Sequence, residues 1–233
     1  MISVVIPTLN EEKYLEICLL SLENQTLPRN KYEVIVVDGR SKDNTIKIAK
    51  RYADKVIFQK GKGAANARNH GIRAATHDII AYVDADLILA KDWLEKAVKV
   101  FEDTRVVCVS GRTLPQEQHI YSWINFTIAD VYAKICYYTK LPNVMGPHMS
   151  FKKDILKKCG GFNEEIPTLE DYEIAFRIVK YGKLIYHSRL IAYASSRRFK
   201  KFGYLNTFFR FLYDGFRIFA GLKPTQKHSY GAF

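Results

Sequence analysis

Through its first half, this chain alternates short β-rich apolar runs with segments of helical periodicity, and few folds accommodate such a pattern. Runs at 3–6, 32–37, 55–58, 79–83 and 106–110 read as strands. Between them, 11–23, 43–53, 64–75 and 92–102 carry apolar residues at three- and four-residue spacing, as Leu15, Cys18, Leu19 and Leu22 do, and read as helices. The expected class is therefore α/β, a Rossmann-like and mostly parallel central sheet flanked by helices. After a loop around Pro142, Gly146 and Pro147 come a strand near 149–151, helices at 154–158 and 170–181, and short strands at 184–187 and 191–193. The organisation expected is one domain over 1–196, made of halves at 1–111 and 112–196, followed by a basic aromatic tail at 197–233.

Composition adds one constraint. The chain has 36 Lys and Arg against 24 Asp and Glu, a net charge of +12, which calls for an anionic partner: nucleic acid, nucleotide phosphates or a membrane surface. Cys18, Cys108, Cys136 and Cys159 are too dispersed for a zinc site or a redox dithiol and are expected to be reduced and packed. No secretory signal opens the sequence and no apolar run reaches spanning length, so the expected location is cytoplasmic, with peripheral contact at the inner face of the membrane.

In an open α/β sheet, ligands bind beyond the carboxyl ends of the strands. There the sequence carries Pro7-Thr8-Leu9-Asn10-Glu11 after the first strand, Asp38-Gly39-Arg40-Ser41 after the second and Asp84-Ala85-Asp86 after the fourth. Alternate residues of an extended segment share a side, so Asp84 and Asp86 can face one cation, and oxygen ligands favour Mg2+ or Mn2+. A turn or helix cap before Trp93 is the structural alternative. The stretch from Lys60 to Gly71 offers small residues, a helix start at Ala64 and the cations Lys62 and Arg68 for a phosphate, or else an ordinary loop-to-helix junction. Glu170 and Asp171 open a helix, where acids suit the macrodipole and a carboxylate can also act as general base.

In this order the segments resemble those of family 2 glycosyltransferases of the GT-A fold: VVIPTLNEE at 4–12, VIVVDGRSKDNT at 34–45, GKGAANARNHGIRAA at 61–75, IIAYVDADLIL at 79–89, GGFNEE at 160–165 and LEDYEIAFRIVKYGK at 169–183. The resemblance implies transfer of a sugar from a UDP-, GDP- or dTDP-linked donor, inversion at the anomeric carbon, and a divalent cation on the diphosphate. It implies that Pro7, Thr8, Asn10 and Glu11 border the nucleotide, that Asp38 and Arg68 contact the base, and that Asp84 and Ala85 lie near the ribose. By the same resemblance Asp86 is the main metal ligand with Asp84 beside it, and Asp171, after Glu170, deprotonates the acceptor. Three departures stand out. Gly39 replaces a second acid, GPHMSF at 146–151 replaces a G-x-N-type segment, and Tyr193-Ala194-Ser195 stands where relatives carry a metal-binding histidine. His148 then reads as a sugar or acceptor contact, or as a core or surface histidine.

From 197 to 223 seven basic residues face Asp214 alone, and Leu205, Phe208, Phe209, Leu212, Phe216 and Phe219 fall near one side of a helix. That pattern suits an interfacial helix on anionic lipid and a lipid-linked acceptor such as a polyprenyl phosphate, with the aromatic helix at 120–141 joining it. Packing on the domain core, or on a second subunit as a homo-oligomer, is the alternative. Arg197 and Arg198 are also placed to meet the donor diphosphate. A saccharide is the other acceptor class. A nucleotidyltransferase would show a glycine-rich loop after the first strand, and a nucleic-acid-binding protein would not place acids at the strand ends, so nucleic acid is the partner expected to be absent.

Overall fold

The computed structural model describes residues 1–225, so the end of the expected tail, 226–233, lies outside the described residues. Its first half runs β1 (Ile2–Thr8), α1 (Leu15–Glu23), β2 (Tyr32–Asp38), α2 (Thr45–Tyr52), β3 (Lys55–Phe58), α3 (Gly63–Ala74) and β4 (Ile79–Val83). Every residue of β2 is buried, because helices cover both faces of the sheet. Alternation sends Val4 and Ile6 of β1 to a core shared with Leu15, Leu19 and Trp93, and Val5 to the opposite core with Ile72, Phe151 and Ile174. Each large side chain buried in this way contributes roughly 1.5–3 kcal/mol.

The second half adds β5 (Leu87–Leu89), α4 (Trp93–Val100), β6 (Val106–Pro115), α5 (Ile120–Thr139), β7 (His148–Lys152), α6 (Lys153–Lys158), α7 (Glu170–Ile178) and β8 (Lys183–Ala194). The strands form an eight-stranded sheet in the order β3-β2-β1-β4-β7-β6-β8-β5. The sheet is more mixed than the alternation suggests. Pairs among β1 to β4, and β6 with β8, are parallel, while β7 enters antiparallel between β4 and β6 and β5 pairs antiparallel with β8. The two strands expected near 184–187 and 191–193 are one, and the break between them survives as a register shift opposite Gly111 and Arg112. Helix α1 starts four residues later than the periodicity suggests. The backbone N–H groups of Glu11 and Glu12 donate instead to Thr45 Oγ1 and Asp43 Oδ2, at 2.7 and 3.1 Å, which keeps 11–14 in a loop.

The tail folds back as α8 (Arg197–Phe202) and α9 (Tyr204–Phe219), with α9 against α5 and α7. Its polarity is inverted where it can be seen. Asp214 is buried and accepts from the N–H and hydroxyl of Thr225, whereas Phe209 and Phe216 are about two-thirds exposed. The side chains of Leu205, Phe208, Leu212 and Phe219 lie outside what is described. Three cysteines are buried, Cys159 is half-buried, and all four are free thiols.

Candidate active site

Because β1 sits between β2 and β4, the chain direction away from β1 reverses there, and such a switch point leaves a crevice beyond the strand ends. A cavity of about 690 Å³ occupies it. Pro7, Thr8 and Glu11 line it from the β1 loop, Gly63, Ala64 and Ala67 from the start of α3, and Asp84, Ala85 and Asp86 from the turn after β4. Asp171, Arg197 and Arg198 close it from the second half of the chain, so nine of the residues singled out in the sequence share one cavity.

The carboxylates arrive already paired. Arg197 donates through Nε to Asp86 Oδ2 at 2.9 Å and through both terminal nitrogens to Glu11 at 2.8 and 2.7 Å, while its guanidinium stacks 4.4 Å from the Tyr14 ring centroid. Burial pushes the Glu11 carboxyl up despite Arg197, because Asp86 and Asp43 add like charge. On the other side Arg68 reaches Asp84 Oδ1 at 3.2 Å and also binds Glu170. The expected base contact of Arg68 is therefore not on the cavity wall: the side chain is 1% exposed and bridges the D-x-D turn to the start of α7.

Asp171 follows Leu169, whose left-handed φ of 61° turns the chain into α7, and Glu170, which points back to Arg68. The Asp171 carboxyl is raised to about 6, first by burial and then by the Glu170 charge, with Arg68 opposing both. Gly146 packs directly on it, and a Cβ at that position would collide with Asp171 Oδ2.

Other expected contacts fall elsewhere. Asp38 is fully buried and accepts from Thr8 Oγ1 at 3.0 Å and from the Ser41 amide and hydroxyl at 2.7 and 2.6 Å, so it shapes the loop. Asn10, with φ 55°, latches the same loop by accepting from the Lys42 amide at 2.9 Å. Lys62 is exposed just ahead of α3. His148 is wholly buried, accepting at Nδ1 from Trp93 Nε1 at 3.1 Å and meeting Thr113 Oγ1 at 3.2 Å, so it is a core histidine behind the cavity wall. Burial pushes it down to about 4.

Sequence reasoning missed Thr113, Tyr132 and Tyr172, all on the cavity beside Gly146; the two tyrosines bring their hydroxyls together from α5 and α7. The Gly146 loop was the one visible signal. GGFNEE, by contrast, is an internal brace: Glu164 accepts from Asn66 and Asn69 of α3 at 2.6 and 2.8 Å.

No group of three metal-binding side chains occurs among the described residues. Asp84 and Asp86 are nevertheless a fitting donor set for Mg2+ or Mn2+, which bind through one or two carboxylates and complete their shells with water and phosphate oxygens.

The sequence model described as Glycosyl transferase family 2 matches residues 3–160. Glycosyltransferase AglE of Haloferax volcanii is 36% identical over 116 residues, 47% of this chain and 38% of that protein. The dolichyl N-acetyl-alpha-D-glucosaminyl phosphate 3-beta-D-2,3-diacetamido-2,3-dideoxy-beta-D-glucuronosyltransferase of Methanococcus voltae is 27% identical over 229 residues, 86% of this chain and 69% of that one. The structure of mannosyltransferase PcManGT from Pyrobaculum calidifontis, in complex with GDP-Man and Mn2+, superposes with a TM-score of 0.72 at 26% identity, covering 91% of this chain and 64% of that one. The chain thus spans under two thirds of the length of AglE and of PcManGT. With the family match extending over more than half of the sequence, and the fold superposing on that neighbour, the chain belongs to glycosyl transferase family 2.

Proposed function

We propose that this chain transfers a sugar, with inversion, from a nucleotide-diphosphate sugar to an acceptor hydroxyl or phosphate, and that the acceptor is lipid-linked. The observation that carries the reading is that Asp86 and Asp171 line one cavity from opposite halves of the chain. Pro7, Thr8, Glu11 and Ala85 border the nucleotide, Asp38, Asn10 and Arg68 hold the loops that shape its seat, and Lys62 stands at the outer edge toward the phosphates. Asp86 and Asp84 are the residues that hold a divalent cation. When bound, such a cation offsets the charge that develops on the departing diphosphate.

Asp171 accepts the proton of the acceptor hydroxyl as that oxygen bonds to the anomeric carbon. The bond from that carbon to the diphosphate breaks, and its electron pair leaves with the nucleoside diphosphate, toward Arg197 and Arg198. The raised carboxyl of Asp171 suits a base, because it holds a proton more tightly than an ordinary aspartate and still ionises below neutrality. A GDP-Man and Mn2+ complex in the PcManGT neighbour supports nucleotide-sugar and cation use. A dolichyl phosphate-linked sugar in the name of the Methanococcus voltae relative supports the lipid-linked acceptor. The apolar share of the cavity lining, with Phe126, Ile128, Leu141 and Phe216, supports it too.

Thermal unfolding with UDP-, GDP- and dTDP-linked sugars, with Mn2+ or with chelator, tests the reading, since a ligand bound to the folded state raises the midpoint by mass action. At least one nucleotide sugar is expected to stabilise wild type only when Mn2+ is present, and Asp86→Ala to lose the effect. Absence of any metal-dependent stabilisation across the panel refutes it.

A further inference from the structure

A buried chain of three side chains ends on the cavity wall. The Trp93 indole N–H can only donate, so His148 Nδ1, 3.1 Å away, must be the acceptor. A neutral imidazole that accepts at Nδ1 carries its proton on Nε2, and Nε2 lies 3.2 Å from Thr113 Oγ1. Both Trp93 and His148 are fully buried, and burial holds the ring neutral, so this tautomer is fixed. The Arg112 backbone is a further partner of the ring, and a protonated Nε2 cannot accept from Thr113 Oγ1, which therefore keeps its own proton to give. No acceptor for that proton occurs among the described residues, and Thr113 borders the cavity.

Thr113 stands opposite Ala192 of β8, and the segment that carries the histidine lies beside it. Gly146 packs on Asp171, and the Pro147 carbonyl accepts the Asp84 amide at 3.0 Å. His148 follows directly and reaches Thr113. Thr113 lines the same cavity as Asp171 of the base position and Asp84 and Asp86 of the D-x-D turn. The group lying between a base and a departing diphosphate is the sugar being transferred.

We infer that Thr113 is a sugar-binding residue, donating its hydroxyl proton to an oxygen of the transferred sugar, and that Trp93 and His148 are positioning residues that orient it. The inference rests on the glycosyl-transfer reading above and adds to it a specificity contact with the sugar. A hydroxyl that is compelled to donate selects a sugar with an oxygen at the facing position over its deoxy analogue.

Binding measurements on the full chain with Mn2+ test it, using UDP-GlcNAc and GDP-mannose as probes beside free UDP and GDP. Thr113→Val keeps the shape and removes the hydroxyl. It is expected to weaken the nucleotide sugar that wild type binds by about three- to tenfold, while the matching free diphosphate binds unchanged. Thr113→Ser is expected to restore wild-type affinity. Trp93→Phe, which frees the tautomer, is expected to shift the nucleotide sugar in the same direction and to spare the diphosphate. Equal weakening of sugar and diphosphate, or no weakening in Thr113→Val, overturns the inference while leaving glycosyl transfer standing. If wild type binds no UDP-, GDP- or dTDP-linked sugar under any metal condition, the underlying reading fails, and this one with it.

Discussion

Asp171 earns its proposed role from its surroundings more than from its residue type. Burial and the neighbouring Glu170 raise its carboxyl to about 6, and Arg68, shared with Asp84, keeps it from rising further. A base must be ionised to act, so the transfer rate is expected to fall about tenfold per pH unit below about 6 and to level off above it. Asp171→Asn is expected to abolish turnover while nucleotide-sugar affinity stays near wild type, as single-turnover and binding assays would read. Turnover retained by that variant would remove Asp171 from the mechanism. Gly146 offers a second test at this scale. A Cβ there meets Asp171 Oδ2, so Gly146→Ala must shift the carboxylate or the loop. It is expected to lower kcat by roughly tenfold or more with little change in donor KM, since misplacement of a base by about 1 Å costs on the order of a hundredfold. An unchanged kcat would show that the loop yields freely. Asp84 and Asp86 were legible in the sequence because a D-x-D pair just after a buried strand can face one cation, whereas Asp38, also at a strand end, turned out to hold its own loop. Thr113, and the contact of Gly146 with Asp171, were not legible, since a threonine or glycine acquires its role only from what folding places beside it.

Among the elements, the parallel half of the sheet was readable because burial on both faces leaves long apolar runs, as in the wholly buried β2. β7 was found but not its direction, and β5 was missed; pairing direction and three-residue edge strands leave no periodic trace. What registers the readable strands is a polar contact. Glu33 of β2 accepts from Ser3 of β1 at 2.6 Å, from Lys55 of β3 at 2.8 Å, and from the amide and hydroxyl of Thr76, ahead of β4, both at 2.6 Å. Burial alone would raise this carboxyl, but the hydrogen bonds outweigh it and hold it down at about 2. A depressed carboxyl stabilises the fold above its unfolded value of about 4.3, and the contribution is lost as pH falls from there through about 2. Glu33→Gln is therefore expected to cost roughly 1–3 kcal/mol at pH 7 and to flatten the decline of stability between about pH 4 and pH 2. Urea unfolding at several pH values would read both effects, and a variant as stable as wild type at pH 7 would dismiss the clamp.

For the whole molecule, charge and apolar exposure have to be considered together. Around the cavity, Arg197 on the wall and Arg68 behind it are paired with acids, while further basic residues crowd the tail. On α5, Ile120, Ile124, Ile128, Val131, Ile135 and Tyr138 recur at helical spacing and are all exposed, as are Phe209 and Phe216 of α9, which packs on α5. Ile128 and Phe216 also line the cavity, so the apolar surface leads into it. Among the described residues no helix is long and apolar enough to cross a membrane. An apolar face of this kind, in a chain with a basic tail, suits contact with an anionic lipid surface, from which a lipid-linked acceptor would enter. The protein is expected to sediment with vesicles containing anionic phospholipid at low salt. It should be only partly released at about 1 M salt, where the Debye length is about 3 Å and the apolar share of the contact persists. Ile124→Glu with Ile135→Glu is expected to leave the protein in the supernatant with its nucleotide-sugar affinity intact. If wild type stays in solution at every lipid composition, or the double variant still sediments, the α5 face belongs to some contact other than the bilayer.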